Sequence, residues 1–111
     1  MKNTILASAS LLAMALAAPA FAQDNTSTVN QSGTTQNATV TQTGADAIAT
    51  VTQSNTNNTA TVLQEANAGG DATVTQSGAF NNASVSQTSE NSDADVVQSG
   101  DRNRATLTQG R

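Results

Sequence analysis

A glutamine recurs at Gln31, Gln42, Gln53, Gln64, Gln76, Gln87, Gln98 and Gln109, in steps of 11 residues with a single step of 12. Each one closes a seven-residue segment of the form N-x-A-x-V-x-Q, of which residues 81–87 are the fullest copy. Strict alternation is period 2, the pattern of a strand with one packed face. Two positions before the glutamine stands Val29, Val40, Val51, Val62, Val74, Val85, Val96 or Leu107, branched and apolar every time. Two further back come Ser27, Ala38, Ala49, Ala60, Ala72, Ala83, Ala94 and Ala105. The fourth column is the least regular: Asn25, Gln36, Ala47, Asn58, Gly70, Asn81, Ser92 and Asn103. These four columns share one face of each strand. The opposite face is mostly short hydroxyls, such as Thr39, Thr41, Ser84 and Ser86.

Strands of seven joined by four or five residues leave no room for a helical crossover, so the chain must stack strand–turn–strand arches. Glycine opens several of the turns, at Gly33, Gly44, Gly78 and Gly100, with Asn55 as a turn-tolerant substitute. A longer period is also present, because every second glutamine (Gln31, Gln53, Gln76, Gln98) is followed by serine. The true unit is therefore about 22 residues, in four copies at roughly 25–46, 47–69, 70–91 and 92–111. Self-similarity at that period predicts an all-β fold, a β-solenoid of four stacked repeats. Alanine and valine would form a thin dry core, and the glutamines a hydrogen-bonded amide ladder along the axis. A buried amide without partners would cost a few kcal/mol. The glutamine register therefore cannot drift.

Composition matters only once the N-terminus is set apart. Met1-Lys2-Asn3, an apolar run from Ile5 to Ala18 and the small-residue site Ala20-Phe21-Ala22 read as a secretory signal peptide over 1–22. The apolar run is too short to span a bilayer. Without Lys2, eight acids face three arginines, a net charge of −5. An acidic chain with no basic cluster is a poor ligand for nucleic acid. The exported part would hold 24 hydrophobic residues, half of them alanine, and no cysteine to cross-link it. Such a composition alone suggests disorder; the register argues otherwise.

In a monomeric solenoid the terminal repeats are atypical and cover the ends. Here the motif runs from Asn25 to Gln109, so both ends are expected to expose unpaired strand edges over an open ladder. The spacing N-x-A-x-V-x-Q-x-G, doubled into a 22-residue repeat behind a signal peptide, resembles the curlin repeat of bacterial curli fibre subunits. The resemblance covers essentially the whole exported chain. It implies a secreted subunit of a functional amyloid, a homopolymer whose cross-β fibres lie on the cell surface and serve biofilm matrix and adhesion. It also implies export through the curli outer-membrane secretion pore and growth from a nucleator subunit. The family's ladder positions carry over onto the eight glutamines and onto Asn25, Asn58, Asn81 and Asn103, with Gln36 a near match. This chain departs from the family pattern at Ala47, Gly70 and Ser92, has four repeats, and lacks a glycine-rich segment after the leader. A major fibre subunit is favoured; a nucleator subunit is the alternative.

A different class is a monomeric exported solenoid that binds a surface or ligand, against which the uncapped ends speak; an ice binder would further need an unbroken rank of threonines on one face. Asp95, Val97 and Leu63 interrupt both ranks. No histidine or cysteine exists in the chain, so neither an enzyme nor a metal site is expected around Asp93, Asp95 and Asp101. Those acids read instead as gatekeepers that slow strand association. No cofactor is implied. Phe80, the one aromatic outside the leader, falls in a turn and is expected to pack on a neighbouring turn.

Overall fold

The structure, a computed structural model, describes residues 2–8, 12–17, 24–65 and 69–110. It is all strand: β1 (Lys2–Ser8), β2 (Leu12–Ala17), β3 (Thr26–Thr34), β4 (Gln36–Gln42), β5 (Ala47–Thr56), β6 (Thr59–Gln64), β7 (Gly70–Ala79), β8 (Asn82–Gln87), β9 (Ser92–Ser99) and β10 (Arg104–Gln109). Odd strands form one five-stranded sheet in the order β1-β3-β5-β7-β9, and even strands form the other in the order β10-β8-β6-β4-β2. All pairings described are parallel. From β3 onward the chain winds as a β-solenoid of four turns, two strands to a turn.

Register follows the glutamine spacing. Gln31 pairs with Gln53, Gln53 with Gln76 and Gln76 with Gln98 in one sheet; Gln42, Gln64, Gln87 and Gln109 align in the other. The step of 12 is absorbed outside the strands, between Gln64 and Gly70, where residues 66–68 lie outside the described residues. A slip of one would send every inward side chain outward, so the extra residue is tolerated only in a turn. Val29 through Val96 and the alanines Ala38 to Ala94 form one buried cluster, with Ala105 and Leu107 packed at its end. No buried hydrophobic residue in it is larger than valine. Two sheets this close have room for little else.

The structure adds two strands that the sequence reading leaves out of the fold. β1 and β2 fall within the expected leader, and they pair with β3 and β4 along their length, Lys2 opposite Thr26 to Ser8 opposite Ser32, and Leu12 opposite Gln36 to Ala17 opposite Thr41. An open parallel edge accepts any segment that can offer backbone N–H and C=O groups at strand spacing. In the full chain, therefore, β1 and β2 cover the N-terminal edge, whereas the expectation of two open ends concerns the chain without its leader. The C-terminal edge behaves as expected. Ala105, Leu107 and Gln109 are half-buried, whereas the same columns in earlier repeats are closed to solvent.

Candidate functional site

The site is the set of inward amide columns and the edges at which they end. In the odd sheet the glutamine side chains form a continuous chain of hydrogen bonds. Gln31 Nε2 donates to Gln53 Oε1 (2.6 Å), Gln53 Nε2 to Gln76 Oε1 (2.7 Å) and Gln76 Nε2 to Gln98 Oε1 (2.7 Å). In the even sheet Gln42 donates to Gln64 (2.8 Å), Gln64 to Gln87 (2.9 Å) and Gln87 to Gln109 (3.1 Å). Every step points the same way, from the earlier repeat to the later. Such chains polarise one another and strengthen cooperatively.

The remaining amide hydrogens reach the backbone. Gln64 Nε2 also donates to Ile48 O and Gly70 O, both at 3.0 Å, and Gln87 Nε2 to Asp71 O and Ser92 O, again at 3.0 Å. Three acceptors share two hydrogens, a three-centre arrangement. These even-strand glutamines thus tie the last position of one strand to the first of the next. They close the corner between repeats as well as the ladder.

The asparagine column works differently from the amide-to-amide ladder the sequence suggests. Asn58 Oδ1 accepts from the backbone N–H of Asn81 (3.1 Å), and Asn81 Oδ1 from that of Asn103 (2.9 Å). Their Nδ2 groups donate to turn carbonyls: Asn58 to Ser54 O and Gly78 O, Asn81 to Ser77 O and Gly100 O. Gln36 does the same with Ser32 O and Asn55 O. Each amide therefore staples its own turn to the turn of the next repeat. Asn25 plays this part at the other corner, donating to Gly44 O and accepting from Ala47 N–H (both 2.9 Å). Ala47, Gly70 and Ser92 hold that position in later repeats, and an open cleft of about 330 Å³ lies there, lined by Asp46, Gly70, Asp71 and Asp93 among others. Among the described residues no group of carboxylates is arranged to hold a metal ion.

Backbone geometry at the corners shows a signal the sequence reading missed. The residue before each fourth-column position is left-handed in all eight segments: Asp24, Thr35, Asp46, Asn57, Gly69, Phe80, Asn91 and Arg102, with φ between 52° and 60°. The glycines are a second left-handed site inside the repeat. At Gly33 and Gly78 a Cβ would lie 1.8 and 2.0 Å from the carbonyl oxygen of the matching residue one repeat on, Asn55 or Gly100. Only a backbone without side chain lets successive turns approach so closely at those φ values.

The outward residues are placed as follows. Asp93 and Asp95 are exposed on β9, opposite Asp71 and Thr73 of β7. Asp101 is exposed in the last turn, where its carboxylate accepts from Ala79 N–H (3.0 Å). Phe80, 56% exposed, lies with its ring centroid 6.0 Å from the Arg102 guanidinium one turn away. That is the outer limit of a cation–π contact, worth about 0.5 kcal/mol at an exposed site.

The family model for the Curlin associated repeat matches residues 22–54. That span contains the first repeat and reaches Gln53, and the strand register carries the same columns onward to Gln109. Comparison with curated proteins and with solved structures returns no match.

Proposed function

We propose that this chain is a secreted structural subunit of a curli-type functional amyloid, and that it polymerises end to end through the edges of its solenoid. The observation that carries this reading is the unidirectional glutamine ladder, because each repeat meets the next through the contacts that a second copy could reproduce at the last. Identical rungs at strand spacing are also the defining arrangement of cross-β stacking. The curlin-repeat match over residues 22–54 supports the same conclusion independently. Both support a structural role; the buried residues of the inward face are amides, alanine, valine and Ser27.

On this reading residues 1–22 are a signal peptide removed after Ala22, and the remaining chain forms fibres outside the cell that serve matrix and adhesion. An outer-membrane pore and a nucleating subunit are its proposed partners. The major subunit is favoured over the nucleator. Arg102, Arg104 and Arg111 give the last repeat the basic character that would suit a nucleator, but Glu90, Asp93, Asp95 and Asp101 lie beside them.

Thioflavin T fluorescence of residues 23–111 released from denaturant, with and without sonicated product, tests the proposal. A lag abolished by seeds is expected. A flat trace with a β-rich circular dichroism spectrum would replace the fibre with a stable monomer that binds a surface.

A further inference from the structure

The ladder has two chemically different ends. Gln53, in its interior, donates to both Asn37 O (3.1 Å) and Gln76 Oε1. Gln98, at the C-terminal end, donates to Asn82 O (3.1 Å), and none of the described residues takes its other hydrogen. Gln109 likewise donates only to Asp93 O among the described residues (2.8 Å). The C-terminal edge is therefore a donor end. At the N-terminal edge the sense is reversed. Gln31 is 1% exposed, and its Oε1, which in every later rung of its column accepts from the glutamine one repeat earlier, is buried with no partner among the described residues.

The strand paired there is β1. Register sets Ala7 opposite Gln31, and alanine has no amide to donate. β1 and β2 thus satisfy the backbone of the edge while leaving the side-chain ladder cut short. The residue whose place Ala7 holds is a glutamine in every other repeat of that sheet.

We propose that β1 and β2 are a mismatched cap on the acceptor end, and that their removal lets Gln31 Oε1 accept from Gln98 Nε2 of a second copy. This rests on the fibre-subunit reading above. The occupant is a second copy because the fit extends over the whole edge. Continuing the register puts Val96 of one copy opposite Val29 of the next, Gln98 opposite Gln31, and Leu107 opposite Val40. It sets Asp93 and Asp95 opposite Thr26 and Thr28, so no like charges meet. A joint between two C-terminal ends would set donor against donor. An uncut chain can dock once, through its donor end, and then leaves a capped acceptor end behind it.

The test uses the full chain with a protease site inserted after Ala22, alone and with Ala7→Gln, which gives the cap its missing amide. Seeded thioflavin T growth is followed before and after cleavage in the same sample. The uncut chain should extend seeds about tenfold more slowly than the cut chain. Uncut A7Q should be slower still, and after cleavage the two become one molecule and must grow alike. Equal growth of uncut and cut chain would overturn the cap and leave the fibre reading standing. An uncut A7Q no slower than the uncut parent would overturn the amide mismatch. Failure of the cut chain to grow at all would instead remove the fibre reading, and the cap with it.

Discussion

Gln76 is fully buried, accepts from Gln53 and donates to Gln98, so it shows what a single ladder position requires. It must carry a donor and an acceptor on one planar group, and it must be neutral. Gln76→Glu keeps the shape and removes both properties at neutral pH. A carboxylate there would face Gln98 Oε1 out of water, at a cost of about 3 kcal/mol or more. Burial raises the pKa of such an acid above its unfolded value. The folded state then binds the proton over a pH range in which the unfolded state has released it, so stability is present at low pH and lost as pH rises. Seeded growth of Q76E should therefore proceed near pH ~4 and fail near pH ~7.5, and growth that is indifferent to pH would contradict the buried ladder. Gly70 makes the opposite point. Its φ is not left-handed, and a Cβ would meet Gln64 Nε2, Ser92 O and Gln87 Oε1 at 3.6–3.8 Å, ordinary contact distances. Gly70→Ala should raise stability by about 0.5–1 kcal/mol by restricting the unfolded chain, measurable as a higher urea midpoint with unchanged slope.

Strands and turns were unequally readable from the sequence. Valine, alanine and glutamine fall in fixed columns because a packed face admits few residue types, and alternation then exposes the strand and its register together. Gly33 and Gly78 are readable for a related reason, since a Cβ on either would collide with the carbonyl of the turn stacked on it. The second left-handed column gives a weaker sign. Five of its eight members, Asp24, Asp46, Asn57, Gly69 and Asn91, are types that enter the left-handed region easily, but Thr35, Phe80 and Arg102 break the column because only the backbone is constrained there. Nor does the motif reveal that Asn58 and Asn81 staple turns rather than one another; spacing gives the column, and only geometry gives the partner. The pairing of β1 and β2 is invisible to a reading that finds the repeat by its glutamines. The missed column yields its own prediction. Thr35 is β-branched, exposed and held at φ 55°, a conformation that asparagine enters more easily and that Asn57 already occupies one repeat on. Thr35→Asn should stabilise by about 0.5–1 kcal/mol, and a lower urea midpoint would count against a strained turn.

For the whole molecule the decisive balance is between stacking and restraint. Inward columns favour association at both edges, whereas Asp93 and Asp95 stand exposed on the last odd strand, where a second copy would pair. Asp71 and Asp93 already stand in one rank on β7 and β9, and a second copy stacking on β9 removes the Asp93 and Asp95 carboxylates from part of their water. Asp95→Thr restores the threonine found at this register position on β7 and should shorten the polymerisation lag. A lag that stays the same or lengthens would remove the gatekeeper role. The exposed rank also separates growth from folding, since it leaves the inward ladder untouched. Variants in it should change lag times with little change in the urea midpoint.

The register has one more consequence, and it concerns inheritance. Each repeat touches only the one before it and the one after, and Gln53 meets Gln76 through the same kind of hydrogen bond by which Gln76 meets Gln98. Nothing in these contacts counts how many rungs there are. Copying a whole repeat within the gene would add a rung and disturb no existing neighbour, whereas inserting a single residue inside a strand would turn every side chain after it inside out. Such a chain can lengthen or shorten over generations by entire repeats, and by almost nothing else.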